Sequence, residues 1–346
     1  SGGISYSDSI LTIINPVTLS IDRSLVSING SADYNKNILD FEADLTEASS
    51  SLINFFWSDT LSNGKATGSM KIGGMFEKTS VDVDLSISDV EYNEISLSSF
   101  ELNAQLEYLN NFRTGIIKTK FSEGLWSDFK IENGNGQFSL NGNEIIISSF
   151  ELRNNDDFMQ FNGKFSADSI LIVDKFQLAY QNHFLINPSQ LQLNLSNNKL
   201  EISPFELHVD DGVIEGYFET NPFVGKIKFS NVTSDILPLL KIKGSENING
   251  SFFGEINFPK DTNLDMVKFD FSVKEGFLVD QPFNNLRVDA FYREGVISID
   301  TVSLNYDDKS TFFISGKIPF PFDRLKSQPT KLYSKYKNID LSFMSN

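Results

Sequence analysis

The feature that most constrains this fold is a three-strand motif that occurs three times in the chain, near residues 136–165, 189–220 and 285–318. Each copy has an alternating apolar and polar strand, a Gly/Asn turn, a second alternating strand, an acidic turn and a third strand. Alternation places apolar side chains on one face of a strand, and repeated units stack on their neighbours. The sequence therefore predicts a stacked antiparallel β-array that works through a surface.

A longer repeat surrounds the short one and covers approximately residues 44–165 and 229–320. Each long copy contains a segment whose apolar residues fall at helical spacing, Thr46 to Trp57 and Thr233 to Leu240, behind N-cap candidates such as Thr46 and Thr233. We predict a short amphipathic helix in each. Because no linker interrupts the pattern, we expect one continuous elongated β-groove domain over residues 1–346.

Two kinds of short motif predict turns. Asn-Gly pairs between alternating segments are typical of tight hairpins, and they occur at Asn29–Gly30, Asn63–Gly64, Asn133–Gly134, Asn141–Gly142 and Asn249–Gly250. Acidic pairs follow the second strand of each short repeat, at Asp156–Asp157, Asp210–Asp211 and Asp307–Asp308. A catalytic or calcium-binding pair would occur once. The recurrence of the acidic pairs in every copy therefore favours turns that are stabilised by the Asp side chain.

Composition disfavours several classes of function. The net charge is −17, and the 29 Lys and Arg residues look scattered singly, which disfavours nucleic acid and anionic bilayers as partners. There is no cysteine, the only histidines are His183 and His208, and no Gly-x-Ser-x-Gly motif occurs. We therefore expect no enzymatic activity, no metal and no cofactor. No stretch approaches the roughly 18 to 20 apolar residues of a membrane helix, and we expect this sequence to be a segment of a longer protein.

The combination of these motifs resembles the AsmA-like and TamB-like proteins of the Gram-negative envelope. The resemblance rests on the Leu/Phe-rich helical segments, on the Gly-rich segments Gly64 to Phe76 and Glu246 to Pro259, and on hairpins such as Leu191 to Leu207, and it covers about Pro16 to Pro319. It implies a sheet curled into an open apolar groove, which carries phospholipid between the inner and outer membranes. It also implies a periplasmic location, an inner-membrane anchor outside this segment, and an outer-membrane barrel partner reached through regions outside it.

Alternation identifies the residues expected to line such a groove and to contact phospholipid acyl chains. They are Phe138, Leu140, Ile145, Ile147, Phe150, Leu152, Phe161, Phe165, Leu191, Leu193, Leu195, Leu200, Ile202, Phe205, Leu207 and Phe218. The excess of Phe, with 32 against 10 Tyr and 2 Trp, fits a dry apolar lining. The alternative is a structural or adhesive cell-surface β-repeat protein, in which the same residues form a closed core. An outer-membrane barrel is disfavoured because aromatic girdles are absent from the sequence.

Overall fold

A computed structural model describes residues 2–21, 24–49, 63–109, 112–126, 129–196, 199–220, 223–234, 248–259, 266–278, 281–307, 310–319 and 330–338. The protein is all-β: these residues form 24 strands, each antiparallel to the neighbours it pairs with inside its unit, and contain no α-helix. Contacts group the chain into two compact units, Ser1–Asp168 and Ser169–Asn346. The expectation of one continuous domain and the boundaries of the longer repeat stay predictions.

Unit 1 is built from twelve described strands in which most sequence neighbours pair as hairpins. They are β1 (Gly3–Ser7), β2 (Ile10–Asn15), β3 (Val17–Ile21), β4 (Ser24–Asp33), β5 (Ile38–Ser49), β6 (Asn63–Met75), β7 (Lys78–Tyr92), β8 (Ile95–Leu109), β9 (Phe112–Trp126), β10 (Phe129–Asn141), β11 (Glu144–Asn154) and β12 (Asp157–Ser166). From β4 to β12 each strand pairs with the next along the chain. The unit is therefore an antiparallel meander.

Unit 2 is a second meander of twelve described strands. They are β13 (Ile170–Tyr180), β14 (His183–Ile186), β15 (Leu191–Asn194), β16 (Glu201–Val209), β17 (Gly212–Glu219), β18 (Val224–Thr233), β19 (Ile248–Phe258), β20 (Met266–Leu278), β21 (Gln281–Arg293), β22 (Val296–Asn305), β23 (Thr311–Pro319) and β24 (Lys331–Lys337). From β15 to β24 each strand again pairs with the next.

Both units contain a strand that is broken at an Ile-Asn-Pro sequence. Pro16 separates β2 from β3, which pair with successive parts of β4, and Pro188 lies between β14 and β15, which pair with successive parts of β13. Proline has no N–H to give to the ladder. At the second break the buried Asn187 side chain donates to the carbonyl oxygens of Val173 and Ser189, at 3.4 and 2.8 Å. The broken strand is a repeat feature that the sequence analysis missed.

Each copy of the short repeat carries a β-bulge at the same place. The register shifts between Ile147 and Phe150, between Ile202 and Phe205, and between Ile299 and Val302. Residues three apart would lie on opposite faces of a regular strand, but one extra residue in the bulge returns them to the same face. The bulge therefore keeps each copy apolar on a single face along its whole length.

The structure corrects most of the Asn-Gly turn predictions. Asn141–Gly142 does form a turn, but the other four pairs lie inside strands β4, β6, β10 and β19. At Gly30 the reason is close backbone approach: φ is +136°, and a Cβ there would lie 2.1 Å from the Asp40 carbonyl oxygen. Glycine is required at such positions because it has no Cβ. The acidic pairs are better predicted, since Asp156, Asp210 and Asp211 lie in hairpin turns.

The two predicted helices are not found among the described residues. Thr46–Ser49, the first residues of the first predicted helix, belong to β5 instead, where a bulge between Leu45 and Ala48 restores the apolar face. Thr233 ends β18. The remaining residues of the two predictions, 50–57 and 235–240, lie outside the described residues.

Candidate functional site: two apolar sheet faces

The apolar side chains of unit 1 share one face of the sheet. The register places residues directly opposite each other on the same face, so one row can be followed from strand to strand. It runs through Ala48, Ala66, Ile87, Phe100, Phe121, Gly134, Leu152 and Met159. A second row, six or seven residues along the strands, contains Leu140, Ile145 and Phe165.

Four phenylalanine rings form a ladder across this face. The ring centroids of Phe100 and Phe121 are 5.5 Å apart, those of Phe121 and Phe150 are 5.8 Å apart, and those of Phe150 and Phe161 are 5.0 Å apart. Phe121 on β9 reaches Phe150 on β11 because the intervening strand β10 presents Gly134. A Cβ at Gly134 would lie 2.6 Å from Leu152 Cδ2 and 3.2 Å from Phe121 Cδ2. Covering a strand glycine with a neighbouring aromatic ring stabilises both.

The two ends of the unit 1 face differ in exposure. Ile131 and Leu152 are fully buried, with Ala48 and Ala66 in the same cluster. The other row is more accessible, since Leu140 and Phe165 are half-buried and Ile145 is 38% exposed. The face is therefore dry along one end and accessible along the other.

Unit 2 repeats this arrangement with different residues. One row of side chains crosses five strands, and four of its five members are buried. It consists of Val232, Phe252, Val273, Leu286 and Leu304. Towards the other end, half-buried Phe218 and Phe258 meet over Gly225, with ring centroids 5.3 Å apart. Each unit therefore combines a buried row with a partly exposed aromatic surface.

The strand register places fourteen of the sixteen residues predicted to line a groove on an apolar face. Those from Phe138 to Phe165 share the unit 1 face, and those from Leu191 to Phe218 share the unit 2 face. Leu195 and Leu200 lie just beyond the ends of β15 and β16. Only Leu152 of this set is fully buried. The prediction did not include Phe100, Phe121 and Phe258, although they alternate with polar neighbours in the same way.

The opposite face carries charges, and several of them are paired across strands. Lys71 Nζ lies 3.0 Å from Glu42 Oε1, Lys228 Nζ lies 2.6 Å from Glu215 Oε1, and Lys226 Nζ lies 2.6 Å from Glu255 Oε2. Hydrogen bonding to Glu215 raises the pKa of Lys228. Exposed pairs of this kind add little stability. They do mark this face as the polar one.

A shallow depression of about 710 Å³ lies on the polar face of unit 2. Its charged lining is paired within the protein, with Arg287 Nη2 3.7 Å from Asp270 Oδ1 and Lys274 Nζ 4.7 Å from the centre of the Phe253 ring. Small-molecule sites are typically enclosed and mostly apolar. This depression is open rather than enclosed, and charged residues that are already paired line it, so we do not assign a ligand to it.

The titratable residues in the turns have structural partners. Asp210, at φ 51°, accepts a hydrogen bond from the Phe184 N–H at 2.8 Å and lies 2.8 Å from His183 Nδ1, so it joins two hairpin turns. His208 Nε2 lies 2.6 Å from Glu206 Oε1. Within the part of the chain that the structure describes, no three His, Asp or Glu side chains are grouped as metal ligands. The same residues include no helix of the length and hydropathy needed to span a bilayer.

Comparisons of the chain with protein-family models, with curated proteins and with solved structures found no match.

Proposed function

We propose that this protein is a non-enzymatic lipid conduit of the AsmA-like and TamB-like type. In this proposal the apolar face of each unit accepts phospholipid acyl chains in the periplasm, and the chain contributes to lipid supply for the outer membrane. The observation that carries the proposal is the accessible part of each apolar face, where Ile145 of unit 1 is 38% exposed and Phe218 and Phe258 of unit 2 are only half-buried. Exposed contiguous apolar surface on a folded protein marks a binding site.

The dimensions and energetics of the face favour an acyl chain as its ligand. The accessible band on β11, from Ile145 to Phe150, is about 13 to 16 Å long at the strand rise. One leaflet of a bilayer contributes about 15 Å of hydrocarbon. Moving a 16-carbon chain from bilayer to water costs roughly 13 kcal/mol, at about 0.8 kcal/mol per CH₂. Transfer onto an apolar face would remove most of that barrier.

The alternation of β10 supplies a matched experiment. Phe138 lies on the apolar face and its neighbour Ser139 lies on the polar face. A photoreactive benzoylphenylalanine at position 138 should crosslink to phospholipid in cells, whereas the same group at position 139 should not. Neither residue belongs to a buried cluster of the described residues, so both variants should fold. Equal crosslinking at the two positions, or none at 138, would contradict the proposal.

The second candidate is a structural or adhesive β-repeat protein, and the buried rows favour it to some extent. Leu152, Val232 and Val273 are as dry as the core of a closed domain. In such a protein the accessible ends would be covered by another protein surface. Benzoylphenylalanine at position 138 would then crosslink to protein and give a band of higher mass that phospholipase treatment leaves unchanged.

A further inference from the structure

The sign of the charge reverses near the last described strand. Residues 309–337 contain seven Lys or Arg and one acidic residue, Asp323, so this stretch carries a net +6 and the remaining residues carry −23. The basic residues are therefore not scattered evenly along the chain, although the whole-chain charge of −17 suggested that they were. Charge asymmetry of this kind indicates a surface that interacts with anions.

The structure brings four of these cations onto one face of one hairpin. Lys317 on β23 is directly opposite Lys331 on β24, and Lys335 and Lys337 follow on the same face of β24 by alternation. Like charges directly opposite each other destabilise a sheet. Lysine on an outer strand can block pairing with another sheet, but that role does not require Lys317 and Lys331 to lie directly opposite each other, whereas binding to an anion accounts for the pair.

These lysines differ from the lysines further inside the unit. Lys226 and Lys228 each have a glutamate within 2.6 Å. Within the described part of the chain, by contrast, Lys317, Lys331, Lys335 and Lys337 form no ion pair. Asp307, at the β22–β23 turn, instead accepts a hydrogen bond from the Ser310 N–H at 2.6 Å. The four ammonium groups therefore remain available to a partner.

An aromatic side chain of β24 accompanies the lysines. Every residue of β24 is exposed, and Tyr333 is 69% exposed, whereas Leu332 and Tyr336 lie on the opposite face of the strand. Tyr333 lies on the lysine face, between Lys331 and Lys335. Tyrosine is enriched where hydrocarbon meets water, because its ring is apolar and its hydroxyl is wet. Lysine adds attraction to negatively charged headgroups there.

We propose that this face of β23 and β24, the basic hairpin, binds the surface of an anionic phospholipid bilayer. Lys331 to Lys337 span roughly 20 Å of flat strand. That spacing fits an array of headgroup phosphates better than a single small anion. The nearest acidic residue on the described neighbouring strand, Asp300 on β22, lies two strands, about 10 Å, from the three lysines of β24, so it opposes their binding only weakly; Lys317, one strand from β22, is more affected. The Debye length at physiological ionic strength is about 8 Å. The inference does not depend on lipid conduction.

Liposome flotation tests the proposal. Wild-type protein should float with vesicles of phosphatidylcholine containing 30% phosphatidylglycerol, should float far less with pure phosphatidylcholine, and should be released by 0.5 M salt. The variant Lys331→Gln, Lys335→Gln, Lys337→Gln should bind the anionic vesicles roughly 100-fold more weakly, since each lysine near such a surface contributes about a fivefold factor. Thermal unfolding should be unchanged, because all three side chains are exposed.

The matched control is Lys65→Gln, Lys118→Gln, Lys130→Gln. These lysines are also exposed on strands, but they lie in unit 1, and the control has the same net charge as the test variant. It should bind anionic vesicles like wild type. Equal weakening of both variants would overturn the proposal, as would equal wild-type binding to neutral and anionic vesicles. Light scattering that shows a wild-type dimer abolished only in the test variant, without vesicle binding, would assign the basic hairpin to a second copy of the chain instead.

Discussion

The difference between the buried and accessible ends of the unit 1 face predicts a steep gradient of stability along β11. Leu152 is 2% exposed, and Leu152→Ala should cost about 3 kcal/mol, within the range of buried Leu to Ala changes. Ile145 is 38% exposed. Ile145→Ala removes about three carbons worth roughly 0.8 kcal/mol each when buried, and water can fill the space that they leave. We therefore expect a cost of only about 1.5 kcal/mol.

Ile146 provides the control for this experiment. It is 36% exposed, adjacent to Ile145, and on the opposite, polar face. If the apolar face is open, Ile145→Ala and Ile146→Ala should cost the same within about 0.5 kcal/mol. The assay is urea unfolding of delipidated protein followed by circular dichroism, with an unchanged m value as the check on the unfolded state. A cost near 3 kcal/mol for Ile145→Ala alone would show that another layer covers the face, which would contradict an open apolar surface.

Three further predictions concern the backbone and the turns. Gly134→Ala should destabilise unit 1 by about 1 to 3 kcal/mol through overpacking. In the same thermal-unfolding series Gly73→Ala should be neutral, because a Cβ at Gly73 would have no neighbour closer than 3.8 Å. Asp210→Ala should cost about 1 kcal/mol by removing the acceptor shared by two turns, and Asp210→Asn should cost less in urea titrations. Hydrogen bonds from the Lys36 backbone and side chain lower the pKa of Asp33 below its ordinary 3.8. The contribution of Asp33 to folding stability should therefore be complete above pH 3.8, and it should disappear as the pH falls through the lowered pKa of the folded state. Asp33→Asn should abolish that acid-dependent part in melts between pH 2 and 5.

Much of the fold could be predicted from alternation and repetition. The all-β class, the hairpins and the shared face of Phe138, Leu140 and Ile145 follow from the period of two. The pattern alone does not show the bulges. Ile147 and Phe150 have opposite parity in the sequence and share a face only because one extra residue lies between them.

The incorrect Asn-Gly turn predictions have a common physical cause, because glycine is needed both in tight turns and inside strands where another chain segment approaches closely. Asn133–Gly134 has the composition of a hairpin turn, but Gly134 is needed inside β10 to make room for Leu152 and the Phe121 ring. Spacing within one strand cannot show this, because the side chain that requires the space belongs to a different strand. The basic hairpin was missed for a different reason, because a whole-chain charge of −17 conceals a local excess of cations.

The lipid content of the purified protein decides whether its apolar faces hold phospholipid. The protein would be purified without detergent, extracted with organic solvent and analysed by mass spectrometry, with a closed β-sandwich of similar size as the control. We expect several phospholipid molecules per chain, and we expect them to be lost when Phe138→Asp and Phe218→Asp together place charges on the accessible parts of the two apolar faces. Phospholipid at the level of the control, from a protein that is folded and stable, would contradict this expectation.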